Sequence, residues 1–222
     1  MDILKYKALD YVVRYPKEFS KEKKYPLVIY LHGAGGRGRD IGKIADHVFF
    51  RETEWALGEA ISIVPQCYAD SWFNIFEQLQ DFLEMVTKLD AVDPARVYLM
   101  GASMGGYGAW QMAMSRPELF AAVVPICGGG MYWNAARLKN MGVWAFHGDR
   151  DKCVFPEESS KMVDAINAHG GKARLTMFEG VNHHSWIPTF RNAEMWAWLL
   201  EQRNSNIVES SREEYSDIAK FG

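Results

Sequence analysis

One serine, two late histidines and two aspartates stand where they could carry out acyl-transfer chemistry together. Ser103 sits in Gly101-Ala102-Ser103-Met104-Gly105, a G-x-S-x-G pattern. The run RVYLMGAS (96–103) before it reads as a strand, and Met104 to Ser115 after it reads as a helix ending before Pro117. A serine at so tight a strand-to-helix bend is lifted off the sheet, and glycines two residues either side remove Cβ atoms that would collide. The helix turns its first N–H groups toward the hydroxyl and favours negative charge there. Such a hydroxyl becomes a nucleophile only when a neighbouring base takes its proton. Of the six histidines, His183 and His184 in FEGVNHHSW (178–186) follow the last predicted strand, so either can supply an imidazole suited to neutral pH. The acid that orients the base is expected between serine and histidine, and HGDRDKCVFP (147–156) offers Asp149 and Asp151.

An oxyanion site needs two N–H donors. The backbone of Met104 supplies one, and the glycine-rich loop LHGAGGRGRD (31–40) supplies the other from Ala34, with Gly33 as the alternative. The rival reading of that loop as a phosphate cradle fails on sequence, because it lacks a Gly-Lys-Ser/Thr ending and the G-x-G-x-x-G spacing.

These groups must be held by a scaffold. PLVIYLHG (26–33), AISIVPQ (60–66), RVYLMGAS, AAVVPICGGG (121–130), VWAFHGD (143–149) and ARLTMFEG (173–180) are short runs, apolar on both faces, that end in glycine or proline. They read as buried parallel strands. LDYVVRY (9–15) adds an early edge strand. Residues 75–89 place Ile75, Leu79, Phe82, Leu83 and Val86 on one helix face. Residues 156–171 and 192–202 complete the helices. Alternating strands and helices predict an α/β fold: a mostly parallel central sheet of about seven strands with helices on both faces. Residues 1–203 form a single domain, and 204–222 a polar C-terminal tail. Only about a dozen residues separate Gly130 from the strand at 143, which leaves no room for a cap domain and predicts an open cleft. Among the loop aromatics, Trp72 and Trp133 are the expected substrate contacts.

The chain has 222 residues and a net charge of −3, with no basic block, so nucleic acid is not an expected partner. No apolar run is long enough to span a bilayer, and the N-terminus has no leader-like apolar stretch, so the expectation is a cytoplasmic protein with no membrane partner. Cys67, Cys127 and Cys153 form no disulfide or zinc pattern, and no metal or cofactor is expected. The exposed aromatics and tail leave room for a homodimer.

Over residues 9–200 the chain resembles the α/β-hydrolase superfamily. Within it, the likeness is to small lidless carboxylesterases related to the dienelactone hydrolase, feruloyl and acetyl-xylan esterase, and phospholipase-carboxylesterase groups. LHGAGGRG is similar to the oxyanion loop of that family, and residues 101–130 to its elbow, helix and next strand. HGDRDKCVFP resembles HGxxDxxVP, which implies Asp151 as the acid. VNHHSW resembles GHNSW, which implies His183 as the base, with His184 in the asparagine position. Dienelactone hydrolases use a cysteine nucleophile, so a serine at the elbow implies the esterase branch. The resemblance therefore implies a serine hydrolase of carboxylic esters, with short-acyl or aromatic-acyl groups, free or carbohydrate-linked such as feruloyl or acetyl esters. A prolyl-oligopeptidase-like peptidase and a non-catalytic ligand-binding protein of the same fold are the alternatives.

Overall fold

A computed structural model describes residues 1–204, and the predicted tail beyond Asn204 lies outside them. Asn204 itself belongs to the domain: its amide donates to Ala95 O and its side chain to Glu118 O. The elements run β1 (Asp2–Tyr6), β2 (Leu9–Arg14), β3 (Tyr25–Leu31), α1 (Gly42–Ala45), α2 (Val48–Thr53), β4 (Ile61–Pro65), α3 (Phe76–Thr87), β5 (Val92–Ala102), α4 (Met104–Ser115), β6 (Ala122–Ile126), β7 (Gly142–Gly148), α5 (Glu157–Ala168), β8 (Arg174–Phe178), α6 (Trp186–Phe190) and α7 (Ala193–Glu201). Short 3₁₀ turns lie between them, including Ala34–Gly36, Trp72–Ile75 and Tyr132–Leu138.

All eight strands join one sheet in the order β1-β2-β4-β3-β5-β6-β7-β8. β1 and β2 are antiparallel to their neighbours, and β3 to β8 are parallel. The eighth strand is β1, which was not expected. It takes the edge predicted for LDYVVRY and leaves β2 inside the sheet. The alternation of β3 explains its burial on both faces. Leu27, Ile29 and Leu31 pack with α3, α4 and α5 on one side, while Val28 and Tyr30 pack with α2, α6 and α7 on the other. β8 was expected to be buried on both faces but is half-exposed, because it forms the other edge. Between β6 and β7 there is only the Tyr132–Leu138 turn, so among the described residues no cap is inserted over the carboxyl ends of the strands. No helix of the described residues is long and apolar enough to cross a membrane.

The strand order reverses around β3, whose successor β4 lies on one side and β5 on the other. At such a switch point the loops leaving the carboxyl ends diverge and leave a crevice. The register pairs Leu31 with Gly101, so the glycine-rich loop after β3 starts beside Ser103. Gly148 pairs with Phe178 on β8, so the loops carrying Asp151 and His183 also start side by side.

Two histidines, His32 fully buried and His47 half-buried, tie loops to this frame. Cys67 N donates to His32 Nε2 at 3.0 Å, so the ring proton sits on Nδ1 and is given to Gly33 O at 2.6 Å. His47 caps α2 by accepting Phe49 N at 3.1 Å through Nδ1. Burial pushes each ring down to about 4, against a hydrogen bond to Gly33 O that favours the charged form of His32. Both titrate near pH 6.5 when unfolded. Below that pH the unfolded chain takes up protons that the folded chain refuses, so stability present above pH 6.5 is lost as the pH falls toward 4. Thermal melting should therefore show Tm falling by on the order of 10 °C between pH 7 and pH 5. His47→Asn keeps a capping acceptor that cannot be protonated, and about half of that fall should disappear. A Tm independent of pH over this range would contradict the neutral state of both rings.

Candidate active site

The chain turns at Ser103 with φ 56° and ψ −120°, a conformation that non-glycine residues rarely adopt. Such a residue costs of order 1–3 kcal/mol and persists only where its surroundings over-determine it. Ser103 N donates to Ile126 O at 2.9 Å, which fixes the bend to β6. A methyl group at Gly101 would overlap the carbonyl of Gly105, and one at Gly105 would overlap the carbonyl of Leu31. Both obstacles are backbone, so neither can move aside. The missing side chains let α4 start directly over the ends of β3 and β5.

The three side chains predicted from distant parts of the sequence meet here. Ser103 Oγ lies 2.8 Å from His183 Nε2, and His183 Nδ1 lies 2.7 Å from Asp151 Oδ2. His183 is partly buried and meets the Trp186 ring edge-on at 5.7 Å. Asp151 is 3% exposed, and its Oδ1 accepts Cys153 N at 2.8 Å and Val154 N at 3.0 Å. Burial alone pushes the Asp151 carboxyl up, but His183 and the two amides together outweigh it and hold the group below the usual carboxylate range. An ionised acceptor fixes the donor of His183 on Nδ1 and leaves Nε2 to take a proton from Ser103. His184 is exposed and packs on Trp186 at 4.7 Å, turned to a different neighbour from Ser103. Asp149 is also exposed, and its Oδ1 accepts Gly180 N at 2.7 Å, joining the ends of β7 and β8 rather than closing its own turn.

Two backbone segments border the serine hydroxyl. Met104 N–H belongs to the first turn of α4 and has no intrahelical acceptor. Gly33 runs alongside: a Cβ there would stand 3.4 Å from that of Ser103. Ala34 follows in the exposed 3₁₀ turn. This loop is tied down from β4. Gln66 donates to Gly36 O at 3.1 Å and Asp40 O at 2.9 Å, and Gly38 N donates to Cys67 O at 2.9 Å.

Trp72 does not face the cleft as expected. It is 1% exposed, its indole N–H donates to His32 O at 3.0 Å, and its ring packs against that of His32. The reason is the 3₁₀ turn after Ser71, which sends Trp72 inward and leaves Phe73 half-exposed. Trp133 is 70% exposed and packs edge-on against Tyr132 in the Tyr132–Leu138 turn. An apolar cavity of about 480 Å³ borders α4, lined by its Tyr107 and Gln111 together with Phe73, Phe76, Gly130 and Met131. Tyr107 and Gln111 stand about one and two turns beyond Ser103. Sequence reading missed this cavity. It also missed His32 and His147, whose shared signal is a His-Gly pair ending a buried strand.

Among the described residues, one group of three could offer ligand atoms to a metal: Cys127, Asp151 and His183. It does not suit one. Burial pushes the Cys127 thiol up to about 12, away from the thiolate a metal needs, and the other two residues already bond each other.

Known proteins share this frame. The dienelactone hydrolase family profile matches residues 44–195. Among curated proteins, the probable feruloyl esterase C of Aspergillus clavatus is 29% identical over 126 residues, 54% of this chain and 46% of that protein. The Aspergillus oryzae protein of the same name is 25% identical over 187 residues, 81% of this chain and 69% of that one. The chain thus spans about half the length of the former relative. Among solved structures, a thermostable esterase superposes with a TM-score of 0.78 at 36% identity, covering 88% of this chain and 59% of that one. Est1E from Butyrivibrio proteoclasticus, solved with ferulic acid, has the same fold at 16% identity and a TM-score of 0.67, covering 87% and 95%. With an α/β-hydrolase sheet and a family match over more than half of its length, the chain belongs to the dienelactone hydrolase family.

Proposed function

We propose that this chain hydrolyses carboxylic esters through an acyl-enzyme on Ser103. The observation that carries this reading is the continuous hydrogen-bonded line from Ser103 Oγ through His183 to a buried, ionised Asp151, mounted on a strained elbow. His183 Nε2 takes the hydroxyl proton as Ser103 Oγ bonds to the ester carbonyl carbon. Negative charge then gathers on the carbonyl oxygen, where the amides of Met104 and Ala34, or Gly33 in its place, receive it. His183 returns the proton to the alcohol oxygen as the carbon–oxygen bond breaks. Water repeats the cycle with His183 again as base and releases the acid. Asp151 stays ionised throughout and stabilises the imidazolium.

The acyl group is best accommodated by the cavity along α4. It is apolar and walled by Phe73, Phe76 and Tyr107, which suits an aromatic acyl group better than acetyl. The feruloyl esterase name of the curated relatives agrees with this. The uncapped rim with Tyr132 and Trp133 gives the alcohol side room for a carbohydrate.

Initial rates on p-nitrophenyl acetate and methyl ferulate should be compared for wild type, Ser103→Ala and Asp151→Asn. Ser103→Ala should fall to the buffer rate, and Asp151→Asn should lose up to about 10,000-fold. Turnover that survives Ser103→Ala would remove the serine from the mechanism. Phe73→Ala takes away one aromatic wall, so the ratio of kcat/KM for ferulate to that for acetate should drop about tenfold. An unchanged ratio would exclude the cavity as the acyl site.

A further inference from the structure

Asp151 has a second imidazole neighbour. His147 closes β7, is fully buried, and holds Nε2 2.9 Å from Val154 O and 3.2 Å from Asp151 Oδ2. Both are acceptors, so Nε2 must carry a proton. A bare nitrogen there would set a lone pair against two oxygens. On the other side of the ring, Nδ1 lies 2.8 Å from Ser159 Oγ, which in turn lies 2.9 Å from Gly128 O. Ser159 has one hydroxyl hydrogen for these two acceptors. With a neutral ring that hydrogen goes to Nδ1, and with a charged ring it goes to Gly128 O. Burial favours the neutral ring, against the pull of Val154 O and Asp151, while His183 opposes a second positive charge nearby. Asp151 and His183 are the titratable groups bearing on it. α5 presents the neutral Ser159, and β6 brings the Cys127 thiol to the same pair.

We propose that His147 is a positioning residue for Asp151, a second imidazole whose fixed Nε2–H holds Oδ2 in line with His183. The role rests on Asp151 acting as the acid. Oδ1 is held by two backbone amides, whereas Oδ2 has only the two histidines. Without His147, Oδ2 can rotate away from His183 Nδ1. The Asp151 charge then bears less directly on His183, so the imidazole gives up its proton at lower pH.

The test pairs His147→Phe, which keeps bulk and loses the donor, with His147→Gln, which returns an N–H₂ near Nε2 and does not titrate. His147→Phe should lower kcat by about 10- to 100-fold, the range typical of groups that orient a catalytic residue. KM should change much less, and the acid limb of kcat/KM should move to lower pH. His147→Gln should recover most of both. A fall in Tm with kcat and acid limb unchanged, or a glutamine variant as impaired as the phenylalanine one, would overturn the role. Nitrogen-15 NMR of histidine-labelled wild type needs neither variant nor turnover, so it separates this inference from the esterase reading. At neutral pH, His147 should be protonated on Nε2 and bare on Nδ1. The reverse tautomer would overturn the inference even in an active enzyme, and the expected tautomer in an inactive one would leave only the esterase reading at fault.

Discussion

The site depends first on how closely α4 can approach the sheet. Its second residue, Gly105, rests on the carbonyl of Leu31, and the carbonyl of that same glycine fills the place of a side chain at Gly101. A helix normally stands off a sheet by the thickness of its side chains. Here backbone meets backbone, and the dividend is a helix N-terminus that opens at the serine instead of a layer above it. The cost is the left-handed turn at Ser103, which is sustained by the bond to Ile126 O and by the β3 and β6 neighbours of β5. The loop after β3 can border the hydroxyl only because the same contact fixes the end of β3 beside the end of β5.

Around that point the protein uses neutral histidines as struts. His32 ties down the loop after β3, and His147 the loop bearing Asp151, each at the end of a buried strand and each bonded through both ring nitrogens. An imidazole suits this work because it spans two loops with one donor and one acceptor while burial keeps it uncharged. His183 differs in being partly open to the cleft, where its Nε2 meets the Ser103 hydroxyl.

What could be read from sequence follows the range of the interaction. Ser103, Asp151 and His183 carry local signatures, because each sits at the end of a strand whose punctuation is written within a few residues. The parallel sheet was equally legible from runs of apolar residues such as PLVIYL. Trp72 was misread because its direction is set by a 3₁₀ turn that swings it under His32, a contact forty residues away. β1 escaped notice since an exposed edge strand has no buried face to leave a pattern. The short helices α1 and α2 are too brief for a periodic signal, and α2 is capped by a histidine rather than by the usual serine, threonine, aspartate or asparagine.

The place of β8 at the border of the sheet divides the machinery into parts of unequal permanence. Ser103 is moored between strands bonded on both flanks, whereas the loop bearing His183 leaves a half-exposed strand that, among the described residues, has β7 alone for a neighbour. Border strands open locally at a lower free energy than central ones. Loss of the last rungs between β7 and β8 would take the imidazole away while Ser103, α4 and the cavity stayed intact. On the mechanism proposed above, such an opening would abolish turnover while leaving the cavity in place, at a cost below the whole free energy of unfolding.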